Sequence, residues 1–308
     1  MNKPVAVMDL GTNTFHLLIA EGKGADYKEI LHLQDAVKLG EGGINKGLIQ
    51  PAAFERGIIA MQNFAAHIAA NGAEKVKAIA TSALRGAANG QDFINEVKAK
   101  ANINIEIING DEEAAYIYKG VKAADCLTDK NSLIVDIGGG SVEFIICNQD
   151  EIKWKQSFEI GAARLMDMFH KNDPIPPESI TALQLYLQDR LTPFFAAAKN
   201  YTIAHIIGSS GVFESYAGII EINKGKLFDL KKTPYYLFEK DQLLTLIESI
   251  ILSSHQQRLG NKAIIPVRVD MIVTASILTR FIIEKLDINK IAMSTNSLKE
   301  GIMADLLG

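Results

Sequence analysis

Two aspartates, Asp9 and Asp136, each end an apolar stretch and are followed at once by a run of Gly, Ser, Thr or Asn. Such residues form tight turns in which several backbone N–H groups point into one concavity that suits a phosphate oxygen. A carboxylate at the end of the strand is a hard oxygen ligand, the kind that Mg²⁺ or Mn²⁺ prefers. These residue types predict chemistry on a phosphate group, assisted by a divalent cation.

The two aspartate-led segments belong to an internal duplication. Residues 7–19 align with residues 134–146 at an offset of 127, and both copies read as an apolar strand, a tight turn and a second apolar strand. A second pair, residues 78–83 and 206–211, aligns at an offset of 128 and has a strand running into a loop of small residues. Many α/β proteins contain strands that end in glycine loops, but two matched pairs at nearly one spacing favour a duplicated domain.

Neither turn matches the other common phosphate-binding patterns. The sequence around Asp9 and Asp136 lacks the Gly-x-x-x-x-Gly-Lys-[Ser/Thr] loop and the Gly-x-Gly-x-x-Gly dinucleotide fingerprint. A single Gly-Gly-Gly-Ser turn is weak evidence, because glycine turns often have only structural roles. The duplicated form, led by an aspartate in each copy, is a stronger indication of phosphate binding.

The elements that must position these turns alternate between strands and helices, as in α/β domains. The first half predicts helices over residues 51–71, 91–100 and 111–124 and a strand over residues 104–108. Residues 125–131 are polar, which predicts one domain over residues 1–124 and another over 125–308, whose last helix can pack back on the first domain. In the second half, helices are expected over residues 162–170 and from Glu178, Lys240 and Asp270 onward.

Composition narrows the class of protein. A chain of 308 residues with 48% hydrophobic and 22% charged residues is expected to fold into two domains with cores of their own. The net charge of −4 argues against broad nucleic-acid binding. No segment reads as a signal peptide or a membrane span, and the two cysteines stand apart without metal-binding spacing, so a cytoplasmic protein without a membrane partner is expected.

Five segments, in order, resemble one known family. They are residues 9–16, 80–85, 105–114, 136–143 and 208–211, and together they are similar to the exopolyphosphatase and guanosine pentaphosphate phosphohydrolase family of the actin-like ATPase superfamily. The resemblance covers essentially the whole chain. It implies an α/β fold of two actin-like (ribonuclease H-like) domains with a cleft between them. The chain has no His-Asp dipeptide, so it resembles the short, two-domain members.

The resemblance also implies roles for individual residues. Glu113 matches the catalytic carboxylate, the general base for a water that attacks the terminal phosphorus. Asp136 and Glu143, with Asp9, match the acids on the metal side, and Glu143 also helps to place the water. The residues that match the phosphate-binding positions are Thr12, Asn13, Thr14, Arg85, Gly138, Gly139, Gly140 and Ser141.

Structural roles remain open for several of these residues. Acidic residues such as Glu112 and Glu113 in the first turn of a helix stabilise it by themselves. Arg85 can form an ion pair or a cap where a strand meets a helix. His16 holds the position in the first copy that Glu143 holds in the second, and contact with phosphate is one of its options. The other five histidines show no ligand spacing, and residues 294–301 replace a more usual Ser-Asp-Gly stretch; neither set is given a role.

The activity expected from this resemblance is release of terminal orthophosphate from inorganic polyphosphate by water, with Mg²⁺ or Mn²⁺ as cofactor. One alternative is a guanosine pentaphosphate 5'-phosphohydrolase, and another is a non-catalytic sensor of guanosine tetraphosphate or pentaphosphate. A kinase of the sugar-kinase or acetate-kinase type shares the same turns. A homodimer is expected from symmetry statistics alone.

Overall fold

The computed structural model describes residues 3–308, which divide into two compact units. The first unit contains the described residues up to Ala123 together with Leu298–Gly308, and the second contains Ala124–Ser297. Both are α/β units, and each is built on one sheet. The expected α/β class is confirmed, with one sheet of five strands and one of six.

The strands, in chain order, are β1 Val5–Leu10, β2 Phe15–Lys23, β3 Asp26–Asp35, β4 Lys75–Ala80, β5 Ile105–Ile107, β6 Ser132–Ile137, β7 Val142–Cys147, β8 Ile152–Phe158, β9 His205–Ser209, β10 Tyr235–Phe238 and β11 Ile291–Ser294. The helices are α1 Pro51–Ala70, α2 Ser82–Arg85, α3 Gly90–Ala101, α4 Gly110–Ala123, α5 Ala162–Phe169, α6 Pro177–Arg190, α7 Thr192–Ala198, α8 Gly211–Asn223, α9 Lys240–Leu252, α10 His255–Leu259, α11 Met271–Leu286 and α12 Leu298–Leu307. Two short 3-10 turns lie at Leu230–Lys232 and Pro266–Arg268.

The two sheets share a central pattern. The first has the strand order β3-β2-β1-β4-β5 and the second β10-β11-β9-β6-β7-β8. In each, the first strand of the duplicated segment pairs antiparallel with the next strand and parallel with a later one, β1 with β2 and β4, and β6 with β7 and β9. The two hairpins also share a register, since Asp9 lies opposite His16 and Asp136 opposite Glu143. The predicted duplication of strand, turn and strand is therefore confirmed.

Each sheet carries its own core. In the first unit, Phe15 of β2 meets Phe93 of α3 edge to face, with ring centroids 6.3 Å apart. In the second, Phe144 of β7 packs against Phe158 and Phe194 at centroid distances of 5.6 and 4.4 Å. Every residue of β6 and β7 is buried, as expected of central strands that are covered on both faces.

The last helix, α12, belongs to the first unit and packs closely on α4. A side-chain carbon added to Gly301 would come within 2.0 Å of the Tyr116 carbonyl oxygen, so the glycine permits the close approach. Lys119 of α4 and Asp305 of α12 add an exposed ion pair at 2.6 Å. The described helices include none that is both long and apolar enough to cross a membrane.

The helices expected over residues 51–71, 91–100, 111–124 and 162–170 and the strand expected over residues 104–108 begin and end within one residue of the observed ones. The helices expected from residues 178, 240 and 270 also start within one residue, whereas β1, β2 and β6 extend two to four residues beyond the duplicated segments. Helix α1 starts at Pro51, where a missing N–H costs nothing, and the chain leaves it through Asn71 and Gly72, whose φ of 62° is available to glycine. Local turn and cap signals were therefore sufficient for these boundaries.

Both cysteines are buried free thiols of the second unit, which gives a direct test of the packing of that unit. Burial raises the pKa of Cys126 to about 11 and that of Cys147 to about 12. At pH 8 only about a thousandth or less of either thiol is thiolate, the reactive form. We expect iodoacetamide to leave both cysteines unmodified in the folded protein and to modify both after denaturation, as measured by intact mass. Rapid modification of the folded chain would contradict this packing.

Candidate active site

The second duplicated turn, residues 138–141, is held from behind by the start of α5. The turn closes on itself through Gly138 N–H, which donates to the Ser141 carbonyl at 3.0 Å. The first residues of α5 then donate to the turn's carbonyls: Ala162 N to Gly138 O at 2.9 Å, Ala163 N to Gly139 O at 2.9 Å, and Gly161 N to Gly140 O at 3.1 Å.

This bracing fixes the direction of the turn's amides. In a trans peptide the N–H points opposite to the carbonyl of the preceding residue. Because the carbonyls of residues 138–140 point at α5, the N–H groups of residues 139–141 point away from it. Three successive amides with this orientation form the kind of concavity that binds a phosphate oxygen.

The first duplicated turn, residues 11–14, has the same closure and a different brace. Gly11 N–H donates to the Thr14 carbonyl at 3.1 Å, matching the bond that closes the second turn. Here the bracing segment is residues 38–40: Lys38 N donates to Asn13 O at 2.8 Å and Gly40 N to Thr12 O at 3.0 Å. The N–H groups of Asn13 and Thr14 consequently point away from that segment. Thr12 is buried, and a side chain on Gly40 would collide with it.

Four polar side chains lie in one row across the second sheet. The strand register places Ser209 beside Asp136, Asp136 beside Glu143, and Glu143 beside Ser157. The Ser209 hydroxyl donates to Asp136 Oδ2 at 2.8 Å and the Ser157 hydroxyl donates to Glu143 Oε1 at 2.7 Å. The hydroxyl of Ser297 also donates to Asp136 Oδ2. The row holds two neighbouring carboxylates in fixed positions at the start of the phosphate-type turn.

The chemistry of this row fits a divalent cation. Asp136 and Glu143 are 7% and 1% exposed, and two buried carboxylates on neighbouring strands repel each other when both are ionised. Oxygen ligands of this kind suit Mg²⁺ or Mn²⁺, and a bound cation relieves the repulsion. Hydroxyl groups that donate to the carboxylates act as the outer partners that orient metal ligands. The residues expected to bind a metal therefore have a donor set that fits one.

The matching row in the first sheet has different chemistry. Its members are Ile79 of β4, Asp9 of β1, His16 of β2 and Gln34 of β3. Nδ1 of His16 lies 3.4 Å from Nε2 of His32 on the neighbouring strand. Two facing imidazoles and a single carboxylate provide a weaker site for a hard cation than two carboxylates do. Roles for Asp9 on a metal and for His16 on phosphate stay predictions.

Helix α4 separates its two neighbouring glutamates. Asn109 accepts hydrogen bonds from the N–H groups of Asp111 and Glu112 at 2.9 Å, and Glu112 Oε2 accepts the Asn109 N–H at 2.9 Å. This reciprocal pair is a capping box, which satisfies free N–H groups at the start of a helix. Glu112 therefore has the structural role expected of an acidic residue in a first turn, while the next residue, Glu113, is not needed for it.

Glu113 instead faces Arg85. The residue is 7% exposed, and its Oε2 accepts a hydrogen bond from Nη1 of Arg85 at 3.1 Å. The same Nη1 donates to the Ile108 carbonyl at 3.0 Å. Arg85 is the last residue of α2, which follows β4. The ion pair that the sequence allowed for Arg85 at this strand-helix junction is therefore present, with Glu113 as the partner. The geometry also gives the predicted general base a fixed orientation.

Sequence reasoning left three hydroxyl residues without a role. Ser209 lies in the noticed segment 208–211, Ser297 lies in the segment 294–301, and Ser157 lies on β8, which was not predicted. Each donates to one of the buried carboxylates. Ser209 could have been found from the sequence, because it is the last residue of the strand in the second duplicated pair and that strand lies next to the one that carries Asp136. No sequence signal marks Ser157 or Ser297.

With the turns, the acidic row and the Arg85–Glu113 pair in view, the chain can be placed among known proteins. It belongs to the Ppx/GppA phosphatase family, whose model matches residues 18–308. The first turn lies just before the matched range, so its assignment rests on the duplication described above.

Individual relatives carry two kinds of name. A putative exopolyphosphatase of Haemophilus influenzae is 26% identical over 99% of this chain and 91% of its own length. A guanosine-5'-triphosphate,3'-diphosphate pyrophosphatase of Aeromonas salmonicida is also 26% identical, over 100% of this chain. The chain spans 60% of the length of that second relative.

Solved structures give the same fold. An exopolyphosphatase from Cytophaga hutchinsonii is 37% identical and superposes with a TM-score of 0.96, covering 99% of this chain and 98% of its own. The Aquifex aeolicus PPX-GPPA enzyme is 23% identical with a TM-score of 0.81, and the match covers 99% of this chain and all of that one.

The brace behind the second turn can be tested at Gly161. A side-chain carbon there would lie 2.4 Å from the Gly139 carbonyl carbon and oxygen, so Gly161→Ala must displace the turn or α5. We expect a loss of about 1–3 kcal/mol in the free energy of unfolding, measured in urea, with weaker binding of phosphate-bearing ligands. Gly260→Ala is the matched control, because its added carbon meets only ordinary contacts at 3.5 Å or more. Equal stability of the two variants would show that the turn is not held by α5.

Proposed function

We propose that this protein is an exopolyphosphatase that releases terminal orthophosphate from inorganic polyphosphate. Family membership and the 37% identical exopolyphosphatase of Cytophaga hutchinsonii support hydrolysis of a phosphoric anhydride. The observation that carries the proposal is the second unit's turn and acidic row. There, three amides aimed in one direction stand beside two buried carboxylates on neighbouring strands.

In the proposed reaction, each group acts on a different part of the substrate. The amides of residues 13, 14 and 139–141 bind phosphate oxygens, since oriented N–H groups bind anions without being reorganised, and Thr12 and Gly138 complete the two turns. Arg85 provides a fixed positive charge next to Glu113. Asp136 and Glu143 would hold Mg²⁺ or Mn²⁺, with Asp9 as a further acid. The cation supplies neutralisation of the charge on the phosphate oxygens.

Glu113 is the proposed general base. Its carboxylate accepts a proton from the attacking water as the oxygen bonds to the terminal phosphorus and the bridging oxygen leaves with the rest of the chain. The hydrogen bond from Arg85 at 3.1 Å holds one carboxylate oxygen and so fixes the orientation of the carboxylate. Glu143 is proposed to help to place that water. Phosphoryl transfer depends mainly on positioning of the reactants and neutralisation of charge. The turn amides, Arg85, the carboxylates and the cation are the kinds of group that this reaction requires.

A guanosine pentaphosphate 5'-phosphohydrolase is the second candidate. Several relatives with 25–26% identity are named guanosine-5'-triphosphate,3'-diphosphate pyrophosphatases, although this chain spans only about 60% of their length. The terminal phosphate of both substrates is the same group, so the turns and the acidic row serve either. A non-catalytic sensor would bind the nucleotide without turnover, and a kinase would need an acceptor before phosphate leaves polyphosphate or nucleotide.

The role of Glu113 is tested by Glu113→Gln, which removes the basic carboxylate with little change in shape. We expect kcat for phosphate release to fall by about 10²–10⁴-fold, with substrate affinity largely kept, because a general base acts in the chemical step. The measurement is steady-state phosphate release together with binding of substrate to the variant.

The neighbouring Glu112→Gln is the matched control. A glutamine preserves the capping box at the start of α4, so this variant should retain the wild-type kcat. Similar losses in both variants would mean that the effect reports damage to α4, and unchanged turnover in Glu113→Gln would remove that residue from the reaction.

The metal and the substrate can be tested together. Phosphate release from medium-chain polyphosphate and from guanosine pentaphosphate is measured side by side over a range of Mg²⁺ concentrations and with a chelator. We expect faster release from polyphosphate, loss of both activities with the chelator, and for Glu143→Gln a rise of at least about tenfold in the Mg²⁺ concentration for half-maximal rate.

The remaining outcomes separate the alternatives. Preference for the nucleotide would establish the pentaphosphate phosphohydrolase, and tight nucleotide binding without release would establish the sensor. Activity that persists in the chelator would contradict a role for the acidic row in binding a metal.

A further inference from the structure

A second group of metal-type ligands lies in the second unit, among residues that the proposed reaction does not use. Asp173 lies in the loop after α5, His255 is the first residue of α10, and Asp270 directly precedes α11. One ligand atom from each lies within 4.8 Å of the others. Nδ1 of the His255 ring is 2.6 Å from Oδ1 of Asp270. The backbone N–H of His255 donates to Oδ1 of Asp173 at 2.8 Å.

A buried histidine points into this cluster. The side chain of His170, directly after α5, is only 4% exposed, and its Nε2 lies 3.8 Å from Oδ2 of Asp173. Among residues 3–308, neither ring nitrogen of His170 makes a hydrogen bond of good geometry, and only a weak contact with the Asp270 backbone is present. A buried polar group without a partner is costly and rare in folded proteins. Ion pairs among Asp173, His255 and Asp270 do not explain why the imidazole of His170 is buried beside them.

Arg258 frames the cluster from the protein interior. Its side chain is 1% exposed; it donates to Asp173 Oδ2, and its Nε donates to the Val269 carbonyl at 2.7 Å. The guanidinium thus fixes one carboxylate and the chain just before α11, as outer partners of metal ligands do. The same guanidinium lies 3.9 Å from Oδ1 of Asp270, so its single positive charge is shared by two carboxylates, and one negative charge remains to balance an added cation. Each carboxylate oxygen has two lone pairs, so an oxygen that accepts a hydrogen bond can still bind a metal.

We propose that Asp173, His255, Asp270 and His170 form a second, structural site for a divalent transition metal of the zinc type. Four ligands from histidine and aspartate suit the four-coordinate geometry of Zn²⁺, whereas Mg²⁺ prefers oxygen ligands and water. With bonds of about 2.0 Å, neighbouring ligands of a tetrahedral ion lie about 3.3 Å apart. Ligand atoms of Asp173, His255 and Asp270 lie within 4.8 Å of one another, and the separations of 2.6 and 3.8 Å lie on either side of the tetrahedral value. His170, which lies next to Asp173, completes the set by moving toward the other two ligands. The exposure of His255 and Asp270 provides the route of entry.

The position of the site defines what a bound ion would do. Its ligands come from the end of α5 and from the starts of α10 and α11. A bound ion would therefore link α5 to two helices that lie more than 80 residues further along the chain. At its other end, α5 braces the second turn through residues 161–163. The Thr274 hydroxyl of α11 also donates to the Ala162 carbonyl at 2.9 Å. A metal here therefore holds in place the helix that supports the phosphate-binding turn.

The test measures Zn²⁺ binding to the full chain, after removal of bound metals and in buffer that contains excess Mg²⁺. Competition with a zinc-chelating dye gives stoichiometry and affinity, and thermal unfolding gives Tm. We expect one tight Zn²⁺ per chain and a rise in Tm of several degrees with Zn²⁺ but not with added Mg²⁺. His255→Ala and Asp270→Asn should weaken Zn²⁺ binding at least tenfold, while His67→Ala, an exposed histidine on α1, should bind as wild type does.

The outcomes can be read without any activity measurement, so they do not depend on the proposed function. Two variants are used so that one remains informative if the other does not fold; Asp270→Asn keeps the shape of the side chain. The proposal is overturned if the wild type binds no Zn²⁺ at micromolar concentration. It is equally overturned if the folded variants bind as tightly as the wild type, or if His67→Ala loses as much affinity as His255→Ala.

Discussion

The register of strand β6 with its neighbours is the constraint on which the candidate site depends. Parallel pairing with β9 places Ser209 next to Asp136, and antiparallel pairing with β7 places Glu143 on its other side. Because side chains alternate between the two faces of a sheet, a shift of one residue in either pairing would move a carboxylate to the opposite face. Extensive burial of β6 and β7 specifies the register, and the acidic row follows from it.

That constraint also explains why the two halves of the duplication differ. The equivalent register in the first sheet places Asp9 beside His16 and Ile79, so the backbone plan is shared while the chemistry is not. Two carboxylates that are buried side by side cost stability, and a protein retains them where a cation or a reaction compensates. The first sheet contributes a turn with oriented amides and the Arg85–Glu113 pair instead. The two sheets thus share one strand arrangement and carry different polar groups at equivalent positions.

The sequence predicted the parts of this structure that are local. Both hairpins, the helices near them and the confirmed family could be read because Asp, Gly and small polar residues recur at one spacing in both halves. The long-range contacts could not be read. Ser157 is an ordinary serine until β8 lies beside β7, and Ser297 reaches Asp136 across 161 residues. The same holds for Asp173 and His255, which lie 82 residues apart and meet only in the folded chain. Residue types at short spacing indicate chemistry, whereas partners from distant strands and loops depend on tertiary structure.

The return of α12 to the first unit has a consequence for how the chain folds as it is synthesised. Residues 298–308 pack on α4 through Gly301, so the first unit needs a segment that leaves the ribosome after the whole of residues 124–297. Domains generally fold as units during synthesis, with those nearer the N-terminus folding first. Here that order is reversed at the final step. The second unit has its full set of residues earlier, and the face of α4 that α12 covers stays uncovered until residues 298–308 have been synthesised.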